Sequence, residues 1–337
     1  MRAAPPTVQL CSLFAQDSGI DPIGYAGTLD AFLAVEVPLP WPRGLFRYGD
    51  KLPREVREAT DWFAREAPYR LRLMAIAPDV EYCVPGRRRV VWYSRPDGAF
   101  ADFDRHEYLV REEEVGELVA DLVRRRGAAP RHAPVEAPTP ARDLLVCTHG
   151  SEDAACGLFG VPVYQRLRAW AAGEARVWRV SHFGGHLFAP TVLELPSGRS
   201  WAHLGHDSAR LLLERSASPE ELRAHYRGWA ALEGPFLQAL ERELLVRHGW
   251  SWLALPKRGC VLERDPADQP LWERVRIEAR GPTGAFAYEA VVELHGWKRL
   301  RPRSDGTEVR DYAQYRVGAI RAYPAAAEGA APPVGAA

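Results

Sequence analysis

Lysine is nearly missing from this 337-residue chain: Lys51, Lys257 and Lys298 are the only three, and arginine supplies the rest of the positive charge. Basic and acidic side chains number 44 each, so the formal net charge is zero. That balance leaves no electrostatic footprint for nucleic acid or for an anionic membrane. No run approaches the ~20 apolar residues of a membrane span, and the opening "MRAAPPTVQLCSLFAQ" lacks the apolar core of a signal peptide. Cysteine is sparse as well. Five residues, an odd number scattered over a long chain, do not make a disulfide scaffold. The expected compartment is therefore the reducing cytoplasm, where cysteines are candidates for metal or redox work. There is no Cys-x-x-Cys, so thiol exchange of the usual kind has no motif. No glycine-rich phosphate loop follows a strand, so no internal flavin or nicotinamide site is expected. No paired carboxylates stand out as an acid/base set for sugar hydrolysis.

What is present divides the chain. The Ala/Pro-rich segment 127–141, "GAAPRHAPVEAPTPA", has no hydrophobic period and reads as a linker. Residues 1–126 before it read as a small α/β domain of order β-α-β-β-β-α, resembling a degenerate thioredoxin-like unit. Its strands are "LDAFLAVEVP", "YRLRLMAIAP" and the segments flanking Arg95-Pro96-Asp97-Gly98; a dipole-matched helix in "EEEVGELVADLVRRR" closes it. Arg87-Arg88-Arg89 reads as a solvated strand edge.

Residues 142–216 read as β-α-β-β-α: "RDLLVCTH", a helix over 161–172, "ARVWRVSH", "PTVLEL", "RSWAHL" and a helix capped by Asp207. Pro190 stands just before the third strand, a layout shared with thioredoxin folds. A helical pair is expected over 217–249, opened by Ser218-Pro219-Glu220-Glu221 and stopped at Gly249. Alternation from 270 to 321 marks a β-rich appendix within 250–323, with Val275, Ile277 and Ala279 facing one way. The tail 324–337 reads as disordered.

Four potential ligands fall in the middle segment. Cys147 and His182 each end a predicted strand, where open α/β sheets build their sites. Cys156 lies on an irregular loop beyond Gly150, and His186 follows His182 across Gly184-Gly185, so the histidine pair is not helical. Two thiolates and two imidazoles suit structural zinc, although the spacing of the cysteines exceeds that of zinc fingers. They also match the ligand types of a 2Fe-2S cluster held by two histidines. His149, His203 and His206 read as neighbouring or surface groups, Cys11 as buried and inert, and Cys83 and Cys260 as structural.

"LLVCTHGSEDAACGLFGVPVYQRLRA" followed by "VWRVSHFGGHLFAPTVLELPSG" resembles the sucrase/ferredoxin-like family, closely over 142–215 and loosely over Cys11 and the N-terminal segment. In the wider class of thioredoxin-like ferredoxins a Cys-x3-Cys stands where His182-x3-His186 stands here. The resemblance implies a thioredoxin-like ferredoxin domain carrying a 2Fe-2S cluster. It implies Cys147 and Cys156 as thiolate ligands and His182 and His186 as imidazole ligands. Leu187 departs from the family, whose members often carry Arg there. The implied activity is electron transfer with an unidentified redox partner protein, as a carrier rather than a stand-alone enzyme. Its potential would be raised and pH-dependent, because neutral imidazoles replace charged thiolates. The rivals are a zinc-stabilised binding module, and a thiol-dependent oxidoreductase or peroxidase using Cys147 or Cys156 directly.

Overall fold

Apolar runs build the centre of the molecule, for which a computed structural model describes residues 10–136 and 142–324. A short helix, α1 (Cys11–Asp17), precedes β1 (Ala31–Glu36), which is buried at all six positions. Packed layers on both faces of the sheet bury it, and within the sheet β2 (Leu71–Ile76) pairs parallel to β1 and β3 (Arg88–Ser94) antiparallel. Between β1 and β2 lie α2 (Leu45–Tyr48) and α3 (Arg54–Glu66). The hairpin strand β4 (Asp104–Val110) starts late, because the loop before it turns Phe100 and Phe103 into the core. Helix α4 (Val115–Arg124) ends this unit. The expected β-α-β-β-β-α order is present.

The middle segment runs β5 (Asp143–Cys147), α5 (Ala154–Trp170), β6 (Arg176–Val180), β7 (Val192–Leu195), β8 (Arg199–Trp201) and α6 (His206–Glu214). β5 and β6 are parallel, and β7 and β8 extend the sheet antiparallel. Two helix starts differ from expectation. α5 begins at Ala154 rather than 161, because Asp153 caps it: Oδ1 accepts the Ala155 N–H at 3.0 Å. α6 is not capped by Asp207, which lies inside its first turn. The preceding Gly205 N–H is instead satisfied by Ser208 Oγ at 2.8 Å.

The expected helical pair is one helix. Residues 219–225 make a 3-10 turn with only Pro219 and Leu222 buried, too little apolar face to hold an α-helix. The chain then enters β9 (Tyr226–Trp229), which pairs with β8, before α7 (Gly234–His248). β10 (Lys257–Arg264), β11 (Trp272–Gly281), β12 (Gly284–Leu300), β13 (Arg310–Val317) and β14 (Arg321–Pro324) form the expected antiparallel sheet. Val275, Ile277 and Ala279 are buried on its inner face.

The fold is α/β. Its large sheet has the strand order β4-β3-β1-β2-β6-β5-β7-β8-β9, so the N-terminal and middle segments share one sheet. They meet at the register pair Ile76–Val180, flanked by bonds from Ala77 N–H to Arg179 O (2.9 Å) and from Ser181 N–H to Ala75 O (2.8 Å). One face of β1–β3 packs under α3 and α4, through Leu33, Val56, Val90 and Leu122. The other face, with Phe32, Met74 and Tyr93, joins a core shared with β5–β9 and α7.

Arg89 corrects the solvated-edge reading of its triplet. It is buried, and with Arg105 and Arg176 it surrounds Glu107 and Asp143 between the two segments. Tyr93 OH and Trp178 Nε1 also donate to Asp143, at 2.5 and 2.9 Å. Part of the expected linker lies against β4, where the Val135 N–H bonds Glu107 O at 2.7 Å. Its last five residues and the tail beyond 324 lie outside the described residues.

Candidate metal centre

Parallel pairing of β5 and β6 places Cys147 opposite Val180, so the chain leaves β6 through Ser181 and His182 beside the Cys147 thiol. The Asp153 cap puts Cys156 in the first turn of α5, facing the same strand ends. His182 Nδ1 then lies 3.9 Å from Cys147 Sγ and 3.7 Å from Cys156 Sγ. One donor atom from each of these three residues falls within a 4.8 Å cluster. Both cysteines are buried at 1% exposure.

His186 follows on a loop in which Gly184 and Gly185 take φ of +106° and +81°, a backbone that side chains with a Cβ rarely adopt. Its ring stacks on that of His182, centroids 4.9 Å apart and planes 26° from parallel. His186 Nδ1 is buried with no hydrogen-bond partner. The three-donor cluster therefore has a fourth donor one ring away, with a nitrogen free to bind.

The two thiols act as a pair. Cys156 donates to Cys147, and this bond, aided by His182, holds the Cys147 thiol well below its ordinary pKa against the effect of burial. The same bond and burial push Cys156 up. Burial, and then His182, push His186 down to about 4, so its imidazole is neutral and can ligate at neutral pH.

The His182 N–H bonds His149 Nδ1 at 3.2 Å. Acceptance there fixes the Nε2–H tautomer of His149, which donates to the Pro42 carbonyl at 3.1 Å. His149 is thus a neighbour that anchors the backbone of a candidate ligand. His203, with Nδ1 3.4 Å from Ala189 O, and His206, beside Asp207, lie outside the donor set. The Ala189–Pro190 peptide is cis. Leu187 is buried against α1 in the cluster containing Cys11, so the residue at this position points inward.

Residues outside the motif hold it in place. Ser304, beyond β12, donates its hydroxyl to Asp153 Oδ1 at 2.7 Å and its N–H to Oδ2 at 2.9 Å. The Cys11 N–H donates to Ser304 Oγ at 3.1 Å, and the Cys11 thiol lies 3.7 Å from Asp153 Oδ1. Burial opposes the charge on Asp153, but the bonds from Ser304 and Ala155 outweigh it and hold the carboxyl below its usual range. Burial pushes the Cys11 thiol up to about 11, which makes it an inert packing group. Gly160 has a different role: a Cβ there would sit 1.9 Å from the Cys147 carbonyl oxygen, so only glycine lets α5 lie against the end of β5.

Cys83 is half-buried, its thiol 3.6 Å from Glu36 Oε1. Cys260 is exposed on β10 rather than part of a core. Sequence reasoning missed Asp153, Gly160 and Ser304. Asp153, three residues before Cys156 and followed by Ala-Ala, was readable as a helix cap; nothing in the sequence marked Ser304.

The fold and site define a mixed α/β protein with a buried Cys/His centre at the ends of parallel strands, and this donor set suits a soft or borderline metal. The chain belongs to the sucrase/ferredoxin-like family, whose family model matches residues 23–228, more than half of its length. The match includes all four candidate ligands and stops short of the C-terminal sheet that supplies Ser304. Neither the curated proteins nor the solved structures compared with the chain give a match. Among the described residues no helix is long and apolar enough to cross a membrane.

Proposed function

We propose that this chain is a cytoplasmic electron carrier with one 2Fe-2S cluster held by Cys147, Cys156, His182 and His186. The observation that carries the reading is the buried convergence of the two sulfurs with a stacked imidazole pair whose outer member has an orphaned nitrogen. A bound cluster supplies a one-electron couple. The chain's own groups do the rest. Cys147 and Cys156 provide the anionic donors, and the glycine loop presents the two imidazoles. His149 fixes the backbone of His182, and Asp153 with Ser304 fixes the turn that carries Cys156. An imidazole that ligates through one nitrogen keeps the other for a proton, which would tie the potential to pH. A redox partner protein would approach over the loop between the two cysteines, where a hollow of about 490 Å³ is lined by Gly150–Ala154 and by Arg301 and Ser304–Thr307.

One observation favours a second reading. The 3.7 and 3.9 Å separations are close to the edge of a zinc tetrahedron, about 3.5–3.8 Å from the usual bond lengths. Anaerobic purification tests the two. Two irons and two sulfides per chain, a red-brown colour and a low average-g EPR signal on reduction are expected. A colourless chain with one zinc, even after iron–sulfur reconstitution, overturns the proposal in favour of zinc. A potential flat from about pH 6 to 10 would remove the proton coupling.

A further inference from the structure

Two arginines flank the glycine loop that carries the histidines, and neither meets a carboxylate. Arg227, on β9, donates from Nη1 to the Gly184 carbonyl at 3.3 Å and from Nη2 to the Tyr25 carbonyl at 2.5 Å, while its Nε has no partner. Arg72, on β2, aims its guanidinium at Gly184, has a buried Nε, and makes no hydrogen bond or ion pair among the described residues. Arg72 is half-buried and Arg227 buried, and the buried arginines other than Arg227 are matched by acids. Arg199 pairs with Glu241, Arg242 with Asp21, and Arg89 and Arg176 with Glu107. Arg227 alone among them lacks such a partner.

A buried cation without an anion is costly, and deleting the charge would ordinarily stabilise the fold. The motif nevertheless makes room for it. A Cβ on Gly185 would sit 2.5 Å from Arg227 Nη2, so the second glycine of the loop and this guanidinium interlock. Burial, and then Arg72, push Arg227 down to about 10, while Cys147 and Cys156 act in the opposite direction. Both guanidiniums lie against the Gly184–Gly185 loop that links His182 to His186, and the negative charge that would match them is that of the two sulfurs once they ligate.

We propose that Arg72 and Arg227 are resident countercharges of the Cys/His centre, stabilising negative charge there and favouring the reduced state of the loaded protein. The redox part rests on the electron-carrier reading, since one-electron reduction adds one negative charge between them. The countercharge itself does not.

The test uses the full chain carrying Arg72→Gln, Arg72→Lys, Arg227→Met or Arg227→Lys, in two states. In the loaded state, redox titration of Arg72→Gln and Arg227→Met should show the reduced-to-oxidised ratio falling about tenfold at fixed ambient potential, about 59 mV for a one-electron couple. The lysine variants should recover most of it. In the metal-free state, Arg72→Gln should unfold at an equal or higher urea midpoint than wild type, because an unmatched charge has been removed. Unchanged potentials in both neutral variants overturn the proposal. So does an equal loss in the glutamine and lysine variants with a lower metal-free midpoint, which marks a packing role. A wild type that takes zinc and no sulfide overturns the electron-carrier reading instead. The urea comparison then decides on the countercharge: a higher midpoint for Arg72→Gln than for Arg72→Lys supports it, and a lower one overturns it.

Discussion

The imidazole of His186 lies stacked on that of His182, and its buried Nδ1 has no partner. An unsatisfied buried nitrogen costs on the order of 1–3 kcal/mol, which a ligand at that atom would recover.

Ligand substitutions should therefore separate metal identity from fold. Cys147→Ser and Cys156→Ser are expected to lose at least about tenfold in metal retained after a chelator wash, read by elemental analysis. His182→Cys and His186→Cys should keep a cluster and lower its potential, since each adds a negative donor. Unchanged spectra and potential in both histidine variants would rule out histidine ligation.

Gly160→Ala should be far more damaging than an ordinary helix Gly→Ala exchange, which stabilises. The added carbon meets the Cys147 carbonyl rather than a movable side chain. Overpacking against backbone costs about 1–3 kcal/mol or more. A fall in melting temperature together with lost metal binding is expected. A rise would show that α5 can shift without disturbing Cys147.

Asp153→Ala removes a helix cap and strands the Ser304 hydroxyl, N–H and all. The expected loss is about 2 kcal/mol by urea denaturation, roughly the upper end for a cap, with Ser304→Ala costing less. Metal affinity should fall with the first variant, because Cys156 rides on the uncapped turn.

The metal-free protein should weaken as the medium is acidified from about pH 6.5 to about pH 4. His186 and His203 are both held down to about 4 in the folded chain, chiefly by burial, against 6.5 for a free histidine. Their folded-state pKa values are depressed, so the unfolded chain binds more protons across this window. The stability they contribute is therefore present above pH 6.5 and lost as pH falls. Urea midpoints measured at steps of pH check the sign. His203→Asn, which tolerates the left-handed backbone at that position (φ +50°), should flatten part of the slope.

The sequence disclosed those parts of the fold in which one local signal suffices. The strand end at Cys147 followed from an apolar run, as did the second strand, which stops at Val180, two residues before the expected His182; the parallel pairing of β5 and β6 brings the two residues together. The Gly184–Gly185 turn was equally plain. What stayed hidden depends on distant chain segments. Ser304 meets Asp153 across 151 residues of sequence, and Arg227 meets Gly184 across 43. No period or spacing encodes such contacts. The 3-10 turn at 219–225 was misread for another reason: its cap is real, with Ser218 Oγ accepting the Glu220 N–H at 3.2 Å, but capping starts a helix and burial must sustain it.

The joint between β2 and β6 gives the centre a mechanical meaning. With a ladder only one register pair long, its amides have few neighbours to protect them, and hydrogen exchange should find this fault line before the interior of either half. The strand ends bearing Cys147 and His182 emerge beside that fault. Whatever grips both residues clamps β6, the strand that carries the joint, onto β5, so occupancy of the centre and the firmness of one side of the fault are linked quantities.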